Sequence, residues 1–139
     1  MAAPLIAVVN DDTAFLDLMT ELLGEEGYET VICKESRDVH KLVRTKQPAL
    51  VILDVRMEHP ETGWSILEML QLDRATTRIP VIVCSADAQF LRAKEEHLRE
   101  RGYDTLEKPF NLEDLLQKVE AALGGLPSED AGTTERRRE

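Results

Sequence analysis

Strand-like runs alternate with amphipathic helical patterns along this chain. LIAVV (5–9), ETVIC (29–33), ALVIL (49–53), VIVC (81–84) and the weaker DTLE (104–107) are short β-rich runs. Between them, apolar residues recur three and four apart. Phe15, Leu18, Met19, Leu22 and Leu23 form the first such pattern, ended by Gly27. Val39, Leu42 and Val43 form the second, with Ser36 placed to cap it and Pro48 to end it. Ile66, Leu67, Met69 and Leu70 mark the third. Residues 88–101 predict a polar helix stopped by Gly102. Asn111 caps the last helix, Glu113 and Asp114 favour its positive end, and Leu112, Leu115, Leu116, Val119 and Leu123 give it an apolar stripe. Five β-α units in regular alternation predict an α/β fold, a doubly wound five-stranded parallel sheet with helices on both faces. Runs one, three and four are apolar throughout, as strands covered on both sides must be. The weak fifth run suits an edge. GGLPSEDAGTTERRRE (124–139) has turn and polar residues without a period, and reads as a disordered tail after one domain spanning 1–123.

Composition narrows the function. The 139 residues are 42% hydrophobic and 32% charged, enough apolar content for one buried core. No apolar run approaches the roughly 20 residues of a membrane helix. The start, MAAPLIAVVNDD, lacks the positive region of a signal peptide. A net charge of −10 argues against nucleic acid and anionic membrane as direct partners, since both need clustered Lys and Arg. The basic run ERRRE (135–139) is short, terminal and flanked by acids. Cys33 and Cys84 each sit in an apolar run, as buried reduced thiols of a cytoplasmic protein do.

In open sheets of this kind, binding sites lie beyond the carboxyl ends of the strands. Asn10, Asp11 and Asp12 follow the first strand, Asp54 the third, Ser85 and Ala86 the fourth, and Lys108 with Pro109 the fifth. If strands one, three, four and five lie side by side, these groups converge. Two carboxylates about 4 Å apart repel by about 4 kcal/mol at an effective dielectric of about 20, so apposed acids call for a cation. Oxygen donors without His or Cys suit Mg²⁺ (or Mn²⁺). With a lysine and a hydroxyl added, such a set can hold a tetrahedral oxyanion beside a carboxylate nucleophile.

These residues resemble the receiver domain of bacterial two-component response regulators, in its stand-alone, chemotaxis-regulator-like form. The resemblance runs from about residue 4 to residue 123 and rests on the acidic cluster after strand one, LDVRM around Asp54, VCSA after strand four and EKPF after strand five. It implies a flavodoxin-like sheet with strand order 2-1-3-4-5. It implies that Asp54 accepts a phosphoryl group from a sensor histidine kinase or a histidine phosphotransfer protein. Asp11 and Asp54 would ligate the metal, Arg56 would offer its backbone carbonyl, and Asn10 would reach the ion through water. Ser85, Ala86 and Lys108 would contact the phosphoryl group, with Ser85 in the family's Ser/Thr switch position. Arg56 and Asp87 would tune the acyl-phosphate lifetime, and the Lys108–Pro109 bond would be cis. The domain would be a switch or a phosphorelay intermediate rather than an enzyme with its own substrate. An unidentified downstream protein, or a homodimer formed on phosphorylation, would carry the output.

The sequence departs from the family's pattern in places. Asn10 stands where a second acid is usual. The loop after Asp54, MEHPETG, is about one residue longer than usual, with Glu58 where proline is common. Thr105 occupies the position of a switch aromatic, with Tyr103 two residues earlier. Plain structural readings stand beside these functional ones. Asp12 is expected to cap the first helix. His40, His59 and His97 share no metal spacing and are expected on exposed surface, and Trp64 is expected to pack. Two other functions fit less well. An aspartyl-phosphate phosphohydrolase wants a carboxylate where Arg56 stands, and a flavin module's phosphate would meet Asp11 and Asp12.

Overall fold

The computed structural model describes residues 3–54 and 60–124. Five strands, β1 (Leu5–Val9), β2 (Glu29–Cys33), β3 (Leu50–Asp54), β4 (Val81–Ser85) and β5 (Asp104–Glu107), form one parallel sheet in the order β2-β1-β3-β4-β5. The connecting helices are α1 (Thr13–Glu25), α2 (Val39–Lys46), α3 (Pro60–Leu72), α4 (Ala88–Glu100) and α5 (Leu112–Ala122). The expected fold class and strand order are those observed.

Strand periodicity divides the core in two. Odd-numbered residues Ala7, Val9, Val51, Leu53, Val81 and Val83 pack with Val39, Val43, Ile66, Leu67, Leu70, Leu91 and Leu98 of α2, α3 and α4. Even-numbered Ile6, Val8, Leu50, Ile52, Ile82, Cys84 and Leu106 pack with Leu16, Met19, Leu23, Leu115 and Val119 of α1 and α5. Each large apolar side chain so enclosed contributes roughly 1.5–3 kcal/mol. Cys33 belongs to the first cluster and Cys84 to the second, so the sheet lies between these two free thiols. Burial pushes the Cys84 thiol up to about 12.

Local boundaries follow side-chain chemistry. Asp12 Oδ1 accepts from the Ala14 and Phe15 amides and caps α1 as expected. Asn111 Oδ1 does the same for α5 through Asp114 N. Gly102, at φ 82°, ends α4 and turns the chain so that Tyr103 N bonds Leu98 O. Some boundaries differ from the sequence reading: β3 begins at Leu50 and α4 ends at Glu100, each one residue inside the expected range. β3 and β4 each reach one residue further, because the ladder continues through Asp54–Cys84 and Ser85–Glu107. A turn of 3₁₀ helix (Ser36–Asp38) precedes α2, so Ser36 lies inside a helical turn instead of capping the helix. The residues assigned to the tail lie outside the described residues from 125 onward.

Tyr103 is buried against α4 with Leu91 and Leu98, and desolvation raises its hydroxyl pKa. It is a core residue, more than a cover for the sheet edge. Trp64 packs on α4 as expected, with Lys94 Nζ 4.8 Å from its ring and the His97 ring at 5.5 Å. No described helix is long and apolar enough to cross a membrane.

Candidate functional site

The even-numbered face that buries Val8, Ile52 and Leu106 continues, at the carboxyl end of the sheet, into Asn10, Asp54 and Lys108. Val9 pairs with Leu53 in the ladder, so Asn10 comes level with Asp54. Three elements distant in sequence thereby meet at one oxygen. Asn10 Nδ2 donates to Asp54 Oδ2 at 3.1 Å, and Lys108 Nζ donates to the same atom at 3.0 Å. Asn10 is 2% exposed and Asp54 8% exposed. A carboxylate so shielded from water requires compensating donors and positive charge, and these supply both.

The lysine is held in place. Its backbone N–H bonds Ser85 O at 2.8 Å, tying the end of β5 to the end of β4. Its ammonium stands 5.0 Å from the centre of the Phe15 ring, and Phe110 meets Phe15 edge-on at 6.4 Å. A cation over an aromatic face gains about 0.5–1 kcal/mol at exposed sites. The sequence reading took Phe15 only as part of an apolar stripe and did not single out Phe110. Their closeness to Lys108 was hidden because α1 and the segment after β5 are far apart in the chain. With Leu18, Ala86, Lys108 and Pro109 these rings line an open, mostly apolar hollow of about 410 Å³ beside the carboxylate. The Lys108–Pro109 peptide is cis.

Ser85 is fully buried, and its Oγ accepts from Asp87 N at 3.0 Å. Ala86 is exposed. Asp87 caps α4 through Phe90 N at 3.0 Å, a role its place just before that helix could have revealed. Asp11 is exposed on the loop between Asn10 and the Asp12 cap. Arg56 lies outside the described residues, as do Glu58 and His59. Among the described residues, no group of three or more His, Cys, Asp or Glu could hold a metal ion. The surface expectation fails for His40. It is half-buried, with Nε2 2.7 Å from Asp73 Oδ2, because α2 and the turn after α3 pack together.

This chain is similar to known proteins in sequence and in fold. The response regulator receiver domain model matches residues 6–120. The DNA-binding dual master transcriptional regulator RpaA of Synechocystis sp. is 30% identical over 120 residues. That match takes in 86% of this chain but 49% of RpaA, so the chain spans about half of that relative's length. The polar-differentiation response regulator DivK of Brucella ovis is 26% identical over 121 residues, covering 86% of this chain and 95% of DivK. Among solved structures, the chemotaxis response regulator CheY4 of Vibrio cholerae superimposes with a TM-score of 0.75 at 20% identity, over 86% of this chain and 98% of that one. The match to the receiver domain model spans nearly every element of the sheet and its helices, and on it this chain belongs to the response regulator receiver domain family of two-component signalling.

Proposed function

We propose that Asp54 is the phosphoacceptor of a switch driven by a phosphohistidine, carried by a sensor histidine kinase or a histidine phosphotransfer protein. A carboxylate oxygen of Asp54 attacks phosphorus. The P–N bond to the donor imidazole breaks, its electron pair stays on nitrogen, and that nitrogen takes up a proton. An acyl phosphate results, and attack by water later returns the carboxylate and inorganic phosphate. Convergence of Asn10 and Lys108 on Asp54 Oδ2 carries this reading. A carboxylate and an ammonium held together at the mouth of the sheet support it, because phosphoryl oxygens need positive charge.

The donors fit a water-rich divalent ion, Mg²⁺ or Mn²⁺. Asp54 and the exposed Asp11 offer hard oxygen and would hold it, leaving its remaining positions to water. When bound, the ion neutralises phosphoryl oxygens. Lys108 pairs with one of those oxygens, and Ser85 leaves Asp87 N to bond another. Phosphorylation adds roughly two negative charges and new acceptors. It shifts a pre-existing equilibrium whose other state binds a downstream protein or a second copy of the chain. The chain directs phosphoryl transfer onto itself and has no separate substrate. It works in the cytoplasm, where Cys33 and Cys84 stay reduced.

Incubation with acetyl phosphate and Mg²⁺, followed by intact-mass measurement, tests this. The wild type gains one labile phosphoryl group, EDTA prevents the gain, and Asp54→Asn does not label. Equal labelling of Asp54→Asn overturns the reading.

A further inference from the structure

We propose that Asn10 is a positioning residue that holds the Asp54 carboxylate in the metal-free protein and competes with the divalent ion for it. This rests on the phosphoacceptor reading and adds a form of regulation to it.

The orientation of the Asn10 amide is set by its neighbours. Oδ1 accepts from Asp12 N at 2.8 Å, and Nδ2 donates to Asp54 Oδ2 at 3.1 Å. Turning the amide over would face two oxygens toward each other on one side and two N–H donors on the other. The residue is 2% exposed, so water cannot readily repair either mismatch. Asn10 therefore presents hydrogen atoms, with positive partial charge, toward the carboxylate. An aspartate at this position would present a second anionic oxygen.

An ion approaching Asp54 Oδ2 meets the Asn10 amide and the Lys108 ammonium already there. An ion that takes this oxygen displaces the amide donor, whose loss leaves a buried polar group to be paired again. Both donors therefore compete with a cation for that oxygen. Metal loading, and with it readiness for phosphoryl transfer, then tracks the free concentration of divalent ion.

Mg²⁺ titration calorimetry on the wild type, Asn10→Asp and Asn10→Ala reads the competition. Side-chain amide exchange of Asn10 by NMR, without metal, reads the hydrogen bond. Asn10→Asp binds Mg²⁺ about tenfold tighter, equivalent to about 1.4 kcal/mol. Asn10→Ala binds it at least as tightly as the wild type, because a competitor has gone. Asn10 amide exchange is slow in the wild type and accelerates in Asp54→Ala. Weaker binding by Asn10→Ala would mean that Asn10 assists the ion, and would overturn the proposal, as would unchanged affinity in Asn10→Asp. Amide exchange indifferent to Asp54→Ala, in a protein that still labels at Asp54, defeats this inference alone. Normal amide behaviour in a protein that never labels defeats the phosphoacceptor reading alone. Absence of Mg²⁺ binding in every variant defeats both.

Discussion

Two clusters of polar side chains in this domain solve opposite problems. One is the Asn10–Asp54–Lys108 group at the carboxyl end of the sheet. The other joins α2 to the turn after α3. There Asp73 accepts from Ala75 N at 2.9 Å, and His40 Nε2 lies 2.7 Å from its Oδ2. Gln47 Nε2 donates to Ala75 O at 2.9 Å, and the Thr76 hydroxyl donates to Leu70 O at 2.7 Å. In this second cluster much of the bonding is to backbone within one turn, and the charge is comfortable. The Ala75 N–H first, and then the His40 hydrogen bond, hold the Asp73 carboxyl below the usual carboxylate range. At the sheet end, the partners are side chains from separate strands and the carboxylate is nearly shut off from water. The Asp73 arrangement fastens a helix. The sheet-end arrangement keeps a carboxylate and an ammonium together where neither would otherwise settle.

The contrast predicts different responses to like substitutions. Asp54→Asn removes phosphoryl labelling entirely, because a carboxamide offers no carboxylate oxygen to attack phosphorus, and it also lowers the melting temperature, because Lys108 loses its ion-pair partner. Asp73→Asn keeps full labelling and lowers the melting temperature. Intact-mass measurement and thermal unfolding of both variants check the pair. Lys108→Ala has the next largest effect. It lowers stability by about 1–2 kcal/mol, a charged hydrogen bond discounted for the partial exposure of the lysine. In an Asp54→Asn background most of this loss disappears, which a double-mutant cycle in denaturant reads.

The smallest effect concerns pH. A carboxyl whose pKa is depressed in the folded state contributes stability above its unfolded value, and that contribution is lost as pH falls through the lower folded value. The stability gap between wild type and Asp73→Asn therefore stays constant above about pH 5 and closes as pH drops below about 4. A gap that widens in acid would mean that Asp73 is not held by these donors.

The second cluster was the harder one to read from sequence. Gln47 takes a left-handed conformation, φ 49°, that a non-glycine residue adopts at a cost of about 1–2 kcal/mol. Its side-chain bonds to Arg44 O and Ala75 O offset that cost, but the Ala75 bond joins residues 28 apart and has no local signature. His40 and Asp73 are likewise 33 apart, so histidine spacing alone pointed to open surface. The sheet-end cluster was legible because each member directly ends or follows a strand, and parallel strands bring their carboxyl ends together. Strand alternation also set the faces. Asn10, Asp54 and Lys108 share the even face, whereas Ser85 follows the odd one. What the chain did not disclose there was detail: the ladder carrying β3 through Asp54, the aromatic pair beside Lys108, and the direction of the Asn10 amide.

Borohydride trapping tests the phosphoacceptor assignment most directly. An aspartyl phosphate is reduced to homoserine, and peptide mass spectrometry then locates the altered residue. After treatment with a small phosphodonor and Mg²⁺, homoserine is expected at position 54, within the tryptic peptide spanning residues 47–56. Homoserine at Asp11 or Asp12, or none at all, would contradict it.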